Sequence, residues 1–167
     1  RTEHMKPAKI AGFGLLIALA FVFSYIESFI VIPVPVPGIK LGLANLVVIV
    51  ALYRVGTAGA AFVSVVRVIL AGLTFSNTVM MLYSLAGCSL SLIVMVLLKK
   101  TDRFGVTGVS VAGGVAHNLG QIAVAMALLE TTAFVYYLPF LLVSGCLAGA
   151  AIGAAGAAAV KRLPSWS

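Results

Sequence analysis

The chain has 167 residues, of which 62% are hydrophobic and 9% charged, with a formal net charge of +7. About a quarter of the residues in a soluble domain are charged, so these proportions and a mean hydropathy of +1.20 exclude an ordinary soluble globular protein. The acidic residues are Glu3, Glu27, Asp102 and Glu130, and no Gly-rich loop ends in Lys-Ser or Lys-Thr, so aspartate-rich Mg-diphosphate chemistry and ATP hydrolysis by this chain alone are excluded as well.

Arg1-Thr2-Glu3-His4 reads as a cloning scar ahead of Met5 and is set aside. The first apolar run is too long for the core of a cleavable signal and lacks a small-residue exit. A spanning helix needs about 20 mostly apolar residues. The uncharged runs, cut at Gly and Pro, predict six helices over 8–31, 39–54, 57–74, 78–98, 106–129 and 133–160, a single membrane domain across 5–167. The second and third are short and each carries a charge, which places them inside the bundle or tilts them. Between the first two, Pro33, Pro35 and Pro37 alternate before Gly38. Alternating prolines favour extended chain, so Val31–Ile39 is expected as a structured loop over one mouth of the bundle.

The fold class expected is therefore an all-α integral membrane protein, a six-helix bundle. Its orientation follows from the basic residues: Lys6, Lys9, Arg54, Lys99, Lys100, Arg103, Lys161 and Arg162 fall on one side. Only Lys40 lies near the other, so both termini are expected in the cytoplasm of a bacterial cell, with the chain multi-pass in its cytoplasmic membrane. The lipid bilayer thus accounts for the composition, and the basic residues are too dispersed to form a nucleic-acid surface.

Small residues four apart let helices approach closely in lipid. They recur as Gly145, Gly149, Gly153 and Ala157, as Gly108, Ala112, Ala116 and Gly120, and as Gly56, Ala60 and Ser64. The first helix has Gly14 and Ala18, with Ala11 three before. Internal packing explains the first three stripes; the last equally suits a partner protein. Ala86-Gly87-Cys88-Ser89 and Ser144-Gly145-Cys146-Leu147 are alike, a thin hint of a repeat. Cys88 and Cys146 have no metal-ligand spacing and read as buried, inert thiols, so no metal site or cofactor is expected.

Ionisable groups inside spans are costly and point to function. Glu27 lies near the outer end of the first helix, and Lys40 opens the second, with Asn45 about 9 Å further in. Arg67 is about 10 Å from the outer end of the third. His117 and Gln121, four apart, share a face of the fifth helix, while Asn118 is turned about 100° away. All of these fall in the outer half, and the inner half is nearly free of polar groups, as in a cavity open outside and sealed below. One reading is a set of satisfied structural groups, with Glu27 paired to Lys40 or Arg67. The other is a binding site: many donors and one carboxylate suit a small ligand with an anionic or carbonyl-rich part. Tyr25, Phe29, Phe75, Tyr83, Tyr136 and Tyr137 near the same mouth fit an interfacial aromatic belt or a cover for a ring.

Two segments carry a resemblance: Pro37-Gly38-Ile39-Lys40-Leu41-Gly42-Leu43-Ala44-Asn45, and Ala116-His117-Asn118-Leu119-Gly120-Gln121. With Arg67 they resemble the Gx transporter family, whose members are often labelled heptaprenyl diphosphate synthase component I. The resemblance runs from about Lys9 to Lys161; the two motifs are specific in combination and weak singly. The size, six expected spans and short loops are also similar to the substrate-binding S-components of energy-coupling-factor (ECF) transporters. That resemblance implies a subunit that captures a small solute outside and docks on a transmembrane coupling protein with two ATPases. It also implies a small-residue docking stripe on the first helix, for which Ala11, Gly14 and Ala18 are the nearest match and depart from the plain pattern. Gx-like proteins accompany flavin-based electron transfer, which implies the alternative of a membrane subunit handling flavin, quinone or isoprenoid compounds. The residues themselves give no support to an enzyme.

Overall fold

The computed structural model describes residues 7–30 and 40–164. The expected scar and the proline segment 31–39 lie outside the described residues. The described chain is all helical: α1 (Pro7–Glu27), α2 (Asn45–Arg54), α3 (Thr57–Thr74), α4 (Thr78–Lys100) and α5 (Val106–Leu128), then a 3-10 turn (Ala133–Tyr137) leading into α6 (Leu138–Arg162). Five of these, with the last turn and α6 counted together, are long and apolar enough to cross a membrane. α2 has 10 residues, about 15 Å, roughly half a hydrocarbon core.

Three boundaries differ from the expected helices by more than two residues, and one of them is the start of the last helix, which begins at Leu138, not at residue 133, after the 3-10 turn. The first helix ends at Glu27, not at residue 31, because the Phe29 and Ile30 amides turn back to carbonyls three residues earlier and wind the chain off the helix. The second begins at Asn45, not at residue 39. Gly42 takes φ +85°, outside the right-handed helical region, and its amide and that of Leu43 are claimed by the Glu27 carboxylate. Lys40 therefore lies in a loop, rather than opening a helix.

α2 is wrapped on nearly all sides, with Val47 through Leu52 buried, which is why its sequence carries no polar face. Its C-terminal end is held by Lys99, whose Nζ donates to the Leu52 carbonyl at 2.6 Å and lies 4.8 Å from the Tyr53 ring centre. α5 occupies the middle, between α4 and α6. Both approaches depend on glycine. A methyl group at Gly149 would lie 2.7 Å from Val111 Cα, one at Gly153 2.7 Å from Thr107 Cα, and one at Gly120 2.7 Å from the Ala86 carbonyl oxygen. The stripe expected on α5 is thus split. Gly120 meets α4, whereas α6 is met by Thr107, Ser110, Val111 and Gly114, and Gly108 touches only Phe104. Close approach to two neighbours at once spreads the small residues round α5 instead of along one line. Two apolar clusters result, one around Leu16, Ile49, Val63, Met95 and Val109, the other around Tyr83, Ile122, Ala125 and Leu141.

Candidate functional site

Between these apolar clusters lies a polar layer. On α1, Leu16 and Ala20 give way to Ser24 and Glu27; on α3, Ala60 and Val63 give way to Ser64 and Arg67. On α5, His117 and Gln121 lie between Val109 and Ile122; on α4, Cys88 and Ser91 lie between Tyr83 and Met95. Asn45 opens α2 at the same level. All of these side chains are buried, with Glu27 and Arg67 each 3% exposed and Gln121 fully enclosed.

Glu27 fastens the loop before α2. Its Oε1 accepts from the backbone amides of Gly42 and, at 3.1 Å, Leu43. The Lys40 amide donates to Gln121 Oε1 at 3.2 Å, so the loop is tied to α1 and α5 at once. Gly42 lies flat on the imidazole: an added Cβ would come 3.2 Å from His117 Cδ2 and 3.1 Å from Asn45 Nδ2. From below, Gly87 seats the same ring, since a Cβ there would lie 3.0 Å from His117 Cε1 and 2.9 Å from Gln121 Cγ. Gly42→Ala is accordingly expected to cost about 1–2 kcal/mol from the left-handed backbone alone. It also displaces His117, so a fall in unfolding midpoint should come with altered chemical shifts of the imidazole. A substituted protein with unchanged midpoint and unchanged imidazole signals contradicts this geometry.

Arg67 is held by groups the sequence did not single out. Its Nη1 donates to Ser24 Oγ at 3.0 Å and its Nη2 to Cys88 Sγ. Ser24 in turn donates to the Ala20 carbonyl at 2.9 Å. Ser24 lies three residues before Glu27 and hence on the same helix face, a signal in the sequence; Cys88 offered none. Cys88 is buried, as expected, but Cys146 is exposed on α6. A cavity of about 210 Å³ between α3 and α4, lined by Ser64, Cys88, Leu92 and Ile93 among others, reaches the same cysteine from the surface of the bundle.

Several polar atoms in the layer have no hydrogen-bond partner among the described residues: Glu27 Oε2, Arg67 Nε, both His117 ring nitrogens and Gln121 Nε2. Buried polar groups are nearly always satisfied, and these unsatisfied atoms come from three helices, α1, α3 and α5. Among the described residues no group of three or more His, Cys, Asp and Glu side chains is placed to hold a metal ion.

The other candidates fall outside this cluster. Asn118 faces α6: its Nδ2 donates to the Leu141 carbonyl at 2.7 Å and lies 3.4 Å from Ser144 Oγ, while its Oδ1 is buried without a partner among the described residues. Asn45 Nδ2 reaches Ser91 Oγ at 3.4 Å. Lys40 contributes its main chain, while its ammonium lies 5.8 Å from the Phe75 ring centre. Phe75 belongs to an edge-to-face group with Phe21 and Tyr25, and Tyr25 also meets Phe29. Tyr83 is part of the apolar core, and Tyr136 is 87% exposed. Ala11, Gly14 and Ala18 are all exposed on α1, and a Cβ at Gly14 would meet nothing within 4 Å; the helix packs inward through Gly12, Leu16, Ala20 and Ser24.

No curated protein and no solved structure matches the chain. The family described as heptaprenyl diphosphate synthase component I matches over residues 16–159, which takes in every residue of the buried layer. A match over that much of a membrane-helical chain is decisive: the protein belongs to the heptaprenyl diphosphate synthase component I family.

Proposed function

We propose that this chain is the capture subunit of a membrane transport system, binding a small organic solute in the buried layer for uptake with a coupling protein and its ATPases. The observation that carries this reading is the set of unpartnered polar atoms on Glu27, Arg67, His117 and Gln121, enclosed between apolar clusters. A purely structural layer has no reason to retain so many unsatisfied groups, each costing about 1–3 kcal/mol. The loop Lys40–Ala44, tied to Glu27 and Gln121, covers this layer and supports a capture-and-close cycle.

In this reading the chain crosses the membrane six times, with α2 and the loop before it making one crossing together. The end carrying Lys9, Arg54, Lys99, Lys100, Arg103, Lys161 and Arg162 faces the cytoplasm, and the layer faces outward. The exposed stripe Ala11, Gly14 and Ala18 is then available to the coupling protein. The chain itself performs no catalytic step: its one aspartate, Asp102, is exposed in the α4–α5 turn.

The family description favours a second reading, in which the chain is the membrane component of an isoprenoid or quinone-linked enzyme system. Purification from the native host separates the two. Transport predicts a retained small molecule and co-purifying ATPases, with retention reduced at least tenfold by His117→Ala. Retention unchanged in both His117→Ala and Arg67→Ala sinks the assignment of the site. A co-purifying prenyl synthase, without ATPases, decides for the second reading.

A further inference from the structure

We infer that the molecule bound in this layer is uncharged, and that it presents hydrogen-bond donors beside carbonyl acceptors, as along the edge of a lactam, imide or carboxamide. This rests on the capture reading above and specifies its substrate class.

The unpartnered atoms are of both kinds. Gln121 Nε2 and Arg67 Nε are donors and require acceptors; Glu27 Oε2, on a carboxylate already taking two backbone amides through Oε1, requires a donor. A neutral imidazole at His117 adds one donor and one acceptor. A ligand that satisfies this set must both give and accept hydrogen bonds. Sulfate or an ionised dicarboxylate accepts readily but leaves Glu27 Oε2 without a donor, and these anions, like phosphate, set a like charge against it.

Charge points the same way. Arg67 and Glu27 are the formally charged side chains buried among the described residues, and their charges cancel. The Lys40 ammonium lies out towards Phe75. An anion entering the layer brings an uncompensated charge into a low-dielectric interior, which is heavily penalised. Both terminal nitrogens of Arg67 already have partners, in Ser24 and Cys88, and the nitrogen without one is the single Nε.

The test uses thermal unfolding of the detergent-solubilised chain with four probes. Uracil and nicotinamide carry adjacent N–H and C=O groups without charge; succinate and inorganic phosphate are anions. Uracil or nicotinamide is expected to raise the unfolding midpoint by several degrees, and the anions are not. Glu27→Gln keeps an acceptor for Gly42 and Leu43 but leaves the layer at a net positive charge. In that variant the response to the neutral probe should shrink and a response to phosphate should emerge. Stabilisation of the wild-type chain by phosphate or succinate alone, abolished by Arg67→Lys, overturns the proposal. If all four probes leave the midpoint unmoved, the mass of the compound retained by host-purified protein decides. An uncharged amide or imide upholds the class, and an anion without N–H donors overturns it. A chain with nothing bound overturns the capture reading itself, and this inference with it.

Discussion

Arg67→Ala is expected to destabilise the chain by about 3–5 kcal/mol, because it leaves the buried Glu27 carboxylate without its compensating charge. The guanidinium also links α1 to α4 through Ser24 and Cys88, so its loss opens both contacts. Titration with a denaturing detergent, followed by helical circular dichroism, measures the effect. Glu27→Gln made in the Arg67→Ala background should recover part of the loss, giving a coupling of about 0.5–3 kcal/mol between the two sites. Strictly additive costs in the double variant contradict the idea that the two charges balance each other across the layer.

Gly149→Leu is expected to be the most damaging single change outside the polar layer. Within lipid, helices gain little from hiding apolar surface and associate through close backbone packing. Here a Cβ would lie 2.7 Å from Val111 Cα and 2.8 Å from the Ser110 carbonyl oxygen, and backbone atoms have no rotamer by which to withdraw. α6 must move away from α5, which also breaks the Asn118 hydrogen bond to Leu141. A cost of about 3 kcal/mol, the upper end for overpacking, is expected. Gly14→Leu on α1 is the matched control: open space surrounds that position, and the unfolding midpoint should stay within experimental error of the parent. Equal losses in the two variants indicate that helix propensity, rather than the α5–α6 approach, is being measured.

The helix pattern was legible because lipid imposes a simple rule. Each long apolar run must satisfy its own backbone, so α3, α4 and α5 come within two residues of the expected boundaries. The larger differences at the end of α1 and the start of α2 arise where that rule does not apply. There the Gly42 and Leu43 amides are satisfied by a carboxylate about 15 positions earlier in the chain, and no local pattern reveals such a partner. The resemblance of Ala86-Gly87-Cys88-Ser89 to Ser144-Gly145-Cys146-Leu147 acquires a physical meaning as well. Gly87 and Gly145 are the points where α4 and α6 press against the two sides of α5, next to Gln121 and Asn118 respectively.

The grouping of Glu27, Arg67, His117 and Gln121 was likewise readable, because ionisable and amide side chains in a span are too costly to scatter at random. Their individual bonds were not. His117 and Gln121 share a helix face by spacing alone, yet only the packed bundle sets Gly42 above the ring and Gly87 below it. Asn118, one residue along, is turned about 100° away by the helix, and only the packed bundle shows that this directs its Nδ2 to the Leu141 carbonyl of α6.

The sequence by itself determined that this is a helical membrane protein, roughly where its helices run, and that a few polar residues are held among them. Composition and periodicity suffice for this, since they express a solvent that is the same along each span. Only the tertiary structure decided which atoms of those residues are already spent on neighbours and which remain open. Hydrogen-bond partners come from distant parts of the chain, and it is on that division, more than on the list of residues, that the proposed site rests.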